Sequence, residues 1–406
     1  MTGIHPQIRF LLFTLLVNAV GFGIIVPVTP DLVMELGHAD AAGASAIGGL
    51  LALSYAVFQF IFGPVMGNLS DAIGRRPVLL VSLASLAIDF LVMAVAPNLV
   101  WLFLARILTG IAGASNAPAQ SAIADLITPD ERARVFAMLG AAFGIGFVIG
   151  PALGGLLGEF GHRVPFYAAG ALAAINFVWG LFSCKETLTE AQRRPFSWAR
   201  ANPFGALKNA RAIPGILPIL TVYFLWQFAS LVYPLIWPYF SKAAYGWSPG
   251  MIGLSLAQIG IGMALVNLFV TPRFVARYGE YKAALFGISV GMLGFMAYAV
   301  APNTFWALAI GFLMPFQSMV HPALTAMMTR AASAETQGEM QGIASSAMAL
   351  GSVLAPLLFN PVHAYFISSR APFRFDGAPM LAATLVAMTG LAILVLSRRS
   401  AAQLSK

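Results

Sequence analysis

The chain has 406 residues, of which 59% are hydrophobic and only 9% charged, with a formal net charge of +8. Soluble domains carry roughly 25% charged residues, and a soluble fold of this size cannot hide so much apolar surface from water, whereas lipid solvates it directly. The basic residues form no stripe with interleaved aromatics, which argues against nucleic acid as a partner, and one cysteine, Cys184, excludes a disulfide framework or a cysteine metal cluster.

The first apolar stretch, 8–27, is long for a signal peptide and lacks a small-residue cleavage site, so it reads as a retained first span. A helix needs about 20 mostly apolar residues to cross the hydrocarbon core. Runs of that kind predict further spans at 45–66, 78–96, 99–125, 134–158 and 164–183. After a polar stretch come 213–240, 248–271, 282–301, 303–329, 340–366 and 378–397. No run reads as a strand. With both termini cytoplasmic, the outside loops hold only Arg163, Lys242, Arg370 and Arg374 of the 23 Lys and Arg residues, and Arg106 lies within a span. The positive-inside rule favours that orientation. The stretch 184–212, with Lys185, Arg193, Arg194, Arg200, Lys208 and Arg211, fits a cytoplasmic linker between a bundle at 1–183 and one at 213–406.

An internal repeat supports the division. A shift of 205 residues lays GNLSDAIGRR (67–76) on PRFVARYGEY (272–281), with Gly74 on Gly279, and Gly150-Pro151 on Ala355-Pro356. The expectation is an all-α integral membrane fold of twelve helices in two pseudo-symmetric six-helix bundles.

Three motifs carry chemistry. GNLSDAIGRRPVLL follows the second span. There Gly67 and Gly74 permit a tight turn and close helix approach. Asp71 can face the positive end of a helix starting near Met340. Arg75, with Arg76 beside it, can pair with Asp125, giving a conformational latch; the alternative is a solvated basic loop that only sets topology. In the fifth span, GIGFVIGPALGG places Gly146, Gly150, Pro151 and Gly154 where small residues allow backbone packing and proline bends the helix, either a hinge or ordinary glycine packing. In the fourth, LARILTGIAGA carries Arg106, whose charge is paired, faces a wet cavity, or snorkels to the helix end.

The first motif resembles the major facilitator superfamily loop signature, departing from it at Ala72, where an arginine is usual; parallel six-helix repeats are the plan of that superfamily. The other two resemble signatures of its drug:proton antiporter branch. Over nearly the whole chain the sequence is similar to the bacterial tetracycline–proton antiporters, through GFGIIVPVTP, ARILTGIAGAS, IADLITPDERARVFAMLGAAFGIGFVIGPALGG, HPALTA and QGEMQGI. That resemblance implies a bacterial inner-membrane protein with protons and a small molecule as partners, without a cofactor or metal. Family members share three membrane carboxylates. Here the third-span one is kept as Asp89, while Asn18 and Gly291 stand at the others and Met263 at a family histidine, so C-terminal proton machinery and metal–tetracycline recognition are not carried over.

Asp89 is the one carboxylate read as well inside a span. Burial penalises the charged form of a carboxylate, so a site alternately wet and dry can bind and release a proton; the alternative is a carboxylate hydrogen-bonded for packing. His321, read as the sole histidine within a span, titrates around pH 6.5 when unperturbed, or else satisfies a carbonyl freed by Pro322. A cavity between the halves is expected to draw on Asn18, Gln59, Asn116 and Gln120, and on Gln227, Tyr233, Trp237, Gln258, Asn267 and Gln317. Amides and aromatics suit an amphipathic organic substrate. The expected function is proton-coupled export by alternating access, with an importer of a nutrient or metal chelate as the alternative. A ligand-sensing receptor is disfavoured by the lack of a signalling domain, and an enzyme by the lack of a nucleotide loop or nucleophile–histidine signature. A monomer is expected, since both halves of the pathway lie in one chain.

Overall fold

The computed structural model describes residues 5–113, 116–128, 131–198, 201–202, 215–331 and 337–404. Among them no strand occurs, as expected where lipid offers the backbone no hydrogen-bond partners. The helices are α1 (Pro6–Ile25), α2 (Thr29–Gly37), α3 (Ala41–Ile73), α4 (Arg75–Val95), α5 (Leu99–Ala112), α6 (Asn116–Leu126), α7 (Arg132–Gly158) and α8 (Val164–Ser183). After the linker follow α9 (Ile216–Ser230), α10 (Val232–Tyr245), α11 (Pro249–Leu265), α12 (Thr271–Ala299), α13 (Thr304–Gly311), α14 (Val320–Ala331), α15 (Gln337–Ile367) and α16 (Ala378–Leu404).

Ten stretches of described residues are long and apolar enough to cross a membrane. One of them, Pro249–Ala299, runs for 51 residues and takes in most of two predicted spans, and the shorter apolar helix Leu99–Ala112 is followed in the chain by Asn116–Leu126. α3 outruns the predicted span 45–66 because hydropathy registers only the part in hydrocarbon, whereas the predicted spans 99–125 and 303–329 are each divided between shorter helices. At 33 residues, α3 is about 50 Å long and overshoots a core of about 30 Å.

The 205-residue repeat is written in the backbone. Asn98 caps α5 by accepting the Val100 amide at 3.1 Å, and Asn303 caps α13 by accepting that of Trp306 at 3.3 Å, both in the same extended conformation. Gly74 (φ 112°) precedes α4, and its counterpart Gly279 (φ 80°) kinks α12. Both angles lie where only glycine sits without strain.

By contacts the chain forms two compact units that differ from the two sequence halves. The first comprises Met1–Ala39, Ser54–Pro203 and Trp247–Ala257. In it, α7 offers two glycine faces. A Cβ on Gly150 would lie 2.7 Å from Gly23 Cα and from the Val20 carbonyl, so α1 is seated backbone to backbone. On the other side, one on Gly155 would lie 2.6 Å from the Pro249 carbonyl and 3.0 Å from Gly253 Cα, which seats the start of α11. The second unit comprises Asp40–Leu53, Phe204–Gly246 and Gln258–Lys406. There the first turns of α3 lie on α15, where a Cβ on Gly49 would lie 2.6 Å from Asn360 Cγ.

Candidate functional site

In the first unit, a charge pair is enclosed by apolar helices. α4 carries Asp89 on its buried face, with no solvent exposure, and α5 carries Arg106 at 8%. Arg106 Nη2 donates to Asp89 Oδ2 and lies 3.0 Å from Met93 Sδ. Its guanidinium carbon is 5.8 Å from the centre of the Tyr55 ring on α3, and the Tyr55 hydroxyl accepts from Gln59 Nε2 at 2.7 Å. Arg106 is therefore paired and does not snorkel. A proton on Asp89 would abolish the attraction and leave a guanidinium without a counter-ion, so protonation and the α4–α5 contact are linked.

The same unit holds the residues expected to form a latch. Arg75 donates to Asp71, to Ser70 Oγ at 2.9 Å, and through Nε to Asp125 Oδ2 at 3.3 Å. The linker is laced into this cluster, which sequence reasoning missed. Glu186 accepts the backbone amides of Arg75 (2.8 Å), Arg76 (3.2 Å), Thr187 (3.0 Å) and Leu188 (3.1 Å). Burial pushes its carboxyl up, but the amides outweigh that and hold it below its ordinary value. Thr187 Oγ1 donates to Asp125 at 3.1 Å, the Arg194 amide to the Asp71 carbonyl at 3.0 Å, and Asn68 to the Ser197 carbonyl at 2.6 Å. Arg76 reaches the Leu181 carbonyl at 3.0 Å. A cavity of about 550 Å³ lies here, lined by Asp71, Arg75, Asp125, Leu188, Arg193 and Arg194 among others. Gly74 makes the turn, whereas Gly67 lies inside α3 with no described atom within 4 Å of a Cβ placed on it.

The other predicted residues are divided between the two units. Asn18 is buried on α1, Gln120 is exposed on α6, and the Asn116 side chain lies outside the described residues. In the second unit, Tyr233 and Trp237 stack at 4.8 Å, and Tyr298 lies 4.6 Å from Trp237, making an aromatic core. Gln258 donates to the Leu308 carbonyl at 3.0 Å, and Asn267, in the π-turn Val266–Val270, accepts from Ser318 at 3.2 Å. Asn267 thus steadies an irregular stretch of helix, a kind of place where function concentrates. Gln227 is half-buried on α9. Gln317 is buried beside Gly291, where a Cβ would collide with the Trp226 ring. His321 is exposed, its ring 5.5 Å from that of Tyr223. Nor is it the only histidine in a span: α15 also encloses His363, with no solvent exposure. The predicted span 340–366 already contained it, so its position alone gave the signal.

The Major Facilitator Superfamily model matches residues 11–356 and, a second time, 219–405. The chain belongs to that superfamily. Within it, the chain is 39% identical over 354 residues to the tetracycline resistance protein, class C, of Escherichia coli, covering 87% of this chain and 89% of that protein. It is 28% identical over 375 residues to multidrug resistance protein 2 of Bacillus subtilis (strain 168), covering 91% and 92%. The crystal structure of the human organic anion transporter MFSD10 superposes with a TM-score of 0.71 at 21% identity, over 96% of this chain and 99% of that one. This major facilitator protein is thus a multi-pass membrane protein of the superfamily's twelve-helix plan. The second, C-terminal match agrees with the 205-residue repeat.

Proposed function

We propose that this major facilitator protein is a proton-coupled exporter of amphipathic organic compounds, acting by alternating access in a bacterial inner membrane with both termini cytoplasmic. The observation that carries the reading is the buried Asp89–Arg106 pair, in a chain related over most of its length to tetracycline resistance proteins. Asp89 takes up the proton and Arg106 answers by moving between the carboxylate and the Tyr55 ring, with His321 as an auxiliary site. The two sequence halves, 1–183 and 213–406, are the moving bodies, joined by the 184–212 linker. The Asp71–Arg75–Asp125 cluster latches one state and opens as Asp71 turns to the helix starting near Met340. Gly146, Gly150, Pro151 and Gly154 give the pivot, with α1 riding on α7. Polar and aromatic side chains of both halves hold the substrate, and the monomer is the working unit.

The deciding experiment is transport of tetracycline and a lipophilic dye in proteoliposomes under an imposed pH gradient, comparing wild type with Asp89→Asn. Gradient-driven movement in wild type, lost in the variant while binding persists, supports the reading. Wild type that binds both compounds and moves neither overturns export, and a variant that still transports removes Asp89 from the coupling step.

A further inference from the structure

The 205-residue repeat lays Ser45 on Gly250, Gly48 on Gly253, and Gly155 on Asn360. Two equivalent crossings result, each joining residues of one sequence half to residues of the other within a single compact unit. In the first unit, α11 meets the end of α7 glycine to glycine, with Gly253 against Gly155. Glu159, exposed at the edge, accepts the Gly250 amide at 2.8 Å and the Ser248 hydroxyl. In the second unit, the start of α3 meets the end of α15, and polar groups fill the contact. Asn360 Nδ2 donates to the Ser45 carbonyl at 2.8 Å, and His363 Nδ1 lies 2.9 Å from Ser45 Oγ. All three residues have no solvent exposure, and His363 Nε2 and Asn360 Oδ1 have no hydrogen-bond partner among the described residues.

We propose that Ser45, Asn360 and His363 form a proton-released latch, positioning the start of α3 on α15 during the transport cycle. This rests on the transporter reading above. Neutral imidazole fits the site with one nitrogen on the serine hydroxyl. A proton added to the ring makes both nitrogens donors, and among the described residues the second has no acceptor. A buried, half-bonded imidazolium is unfavourable, so the charged form selects the state in which α3 and α15 have parted and the ring is wet. The ring takes the proton from the solution it then faces and returns it there, so this proton sets how long the latch stays open and is not itself carried across.

Among the described residues no carboxylate is hydrogen-bonded to the ring. The charges whose field reaches His363 are Arg374 and Asp376, which pair with each other at 2.9 Å in the loop before α16. α10, packed alongside, carries Tyr239, Lys242 and Tyr245 in its last turns, and Asp40 precedes α3. α9 brings Tyr223, which touches Met348, α14 brings His321 and Arg330, and α16 has no titratable side chain among those described. The first-unit counterpart titrates elsewhere. The Ser248 hydroxyl and the Gly250 amide hold the Glu159 carboxyl below its ordinary value, so it stays ionised between pH 5.5 and about 8.

The test measures the distance between spin labels at Ala41→Cys and Ser369→Cys, in Cys184→Ala protein in lipid nanodiscs, from pH 8 to pH 5.5. A longer-distance population should grow on acidification, by at most about tenfold per pH unit, the limit for a single-proton switch. His363→Gln should stay at the short distance and lose the pH response. Glu159→Gln should keep the response. Ser45→Ala, which spares the histidine, should open more at pH 8 and respond less, and it decides the matter if His363→Gln does not fold. A flat wild-type profile, a response retained in His363→Gln, or one abolished by Glu159→Gln overturns the proposal. Since the readout needs no substrate, a pH response in protein that transports nothing would sink the export reading alone, and transport without a response would sink only the latch.

Discussion

The Glu186 carboxylate accepts the backbone amide of Arg75 at 2.8 Å, so the segment leaving the sixth predicted span closes the N-terminus of the third. The same strap holds Asp125 through Thr187, and with it the second partner of the Arg75 side chain.

Replacing Glu186 with Ala should therefore cost about 1–3 kcal/mol, the range for stranding partly buried donors. Gln should cost less, since it keeps one acceptor. The native carboxyl is held below its usual value of 4.5, so its contribution is present above that pH and is lost as pH falls through the lower, folded value. Melting in detergent at pH 7 and at pH 3.5 checks both points: the gap between wild type and Glu186→Ala should narrow in acid.

Arg106→Ala leaves Asp89 buried without its partner and should destabilise by about 3–5 kcal/mol. Adding Asp89→Asn removes the stranded charge, so the double variant should be more stable than Arg106→Ala alone, while still failing to couple transport to a gradient. Thermal melts of the four proteins, read as a double-mutant cycle, give the pair's interaction energy.

The glycine faces of α7 make a positional prediction. Gly150→Ala sets a methyl against Gly23 Cα and the Val20 carbonyl, both at 2.7 Å, and should cost about 1–3 kcal/mol or more as overpacking. At Gly140 and Gly144 no described atom lies within 4 Å of a Cβ, and alanine there should be neutral or stabilising. Equal effects at the three positions would contradict the seating of α1 on α7.

At Gly291 the Trp226 ring occupies the volume a side chain would take. Gly291→Ala should lower the melting temperature, and Trp226→Ala in the same protein should lessen that penalty by opening the space. Additive losses would show that the two positions do not meet.

The sequence by itself determined that the chain is a membrane-spanning helical protein, because 59% hydrophobic residues in runs of about 20 have no other stable home. It also led to the expectation of two related halves, through the matched Gly74 and Gly279, and of a pairing between Arg75 and Asp125, whose Nε and Oδ2 lie 3.3 Å apart. Those features are local or repeat at a fixed offset, so one strand of text contains them. The partner of Asp89 was not legible, since the 17 positions separating it from Arg106 span two helices whose mutual rotation is set by packing. Nor was the part played by Glu186, Asn360 or His363, whose partners lie 111, 315 and 318 residues away along the chain. Hydropathy reports how a residue partitions into lipid, and only the tertiary structure decides which buried polar groups meet, because a polar side chain inside a membrane takes its energy from its neighbours.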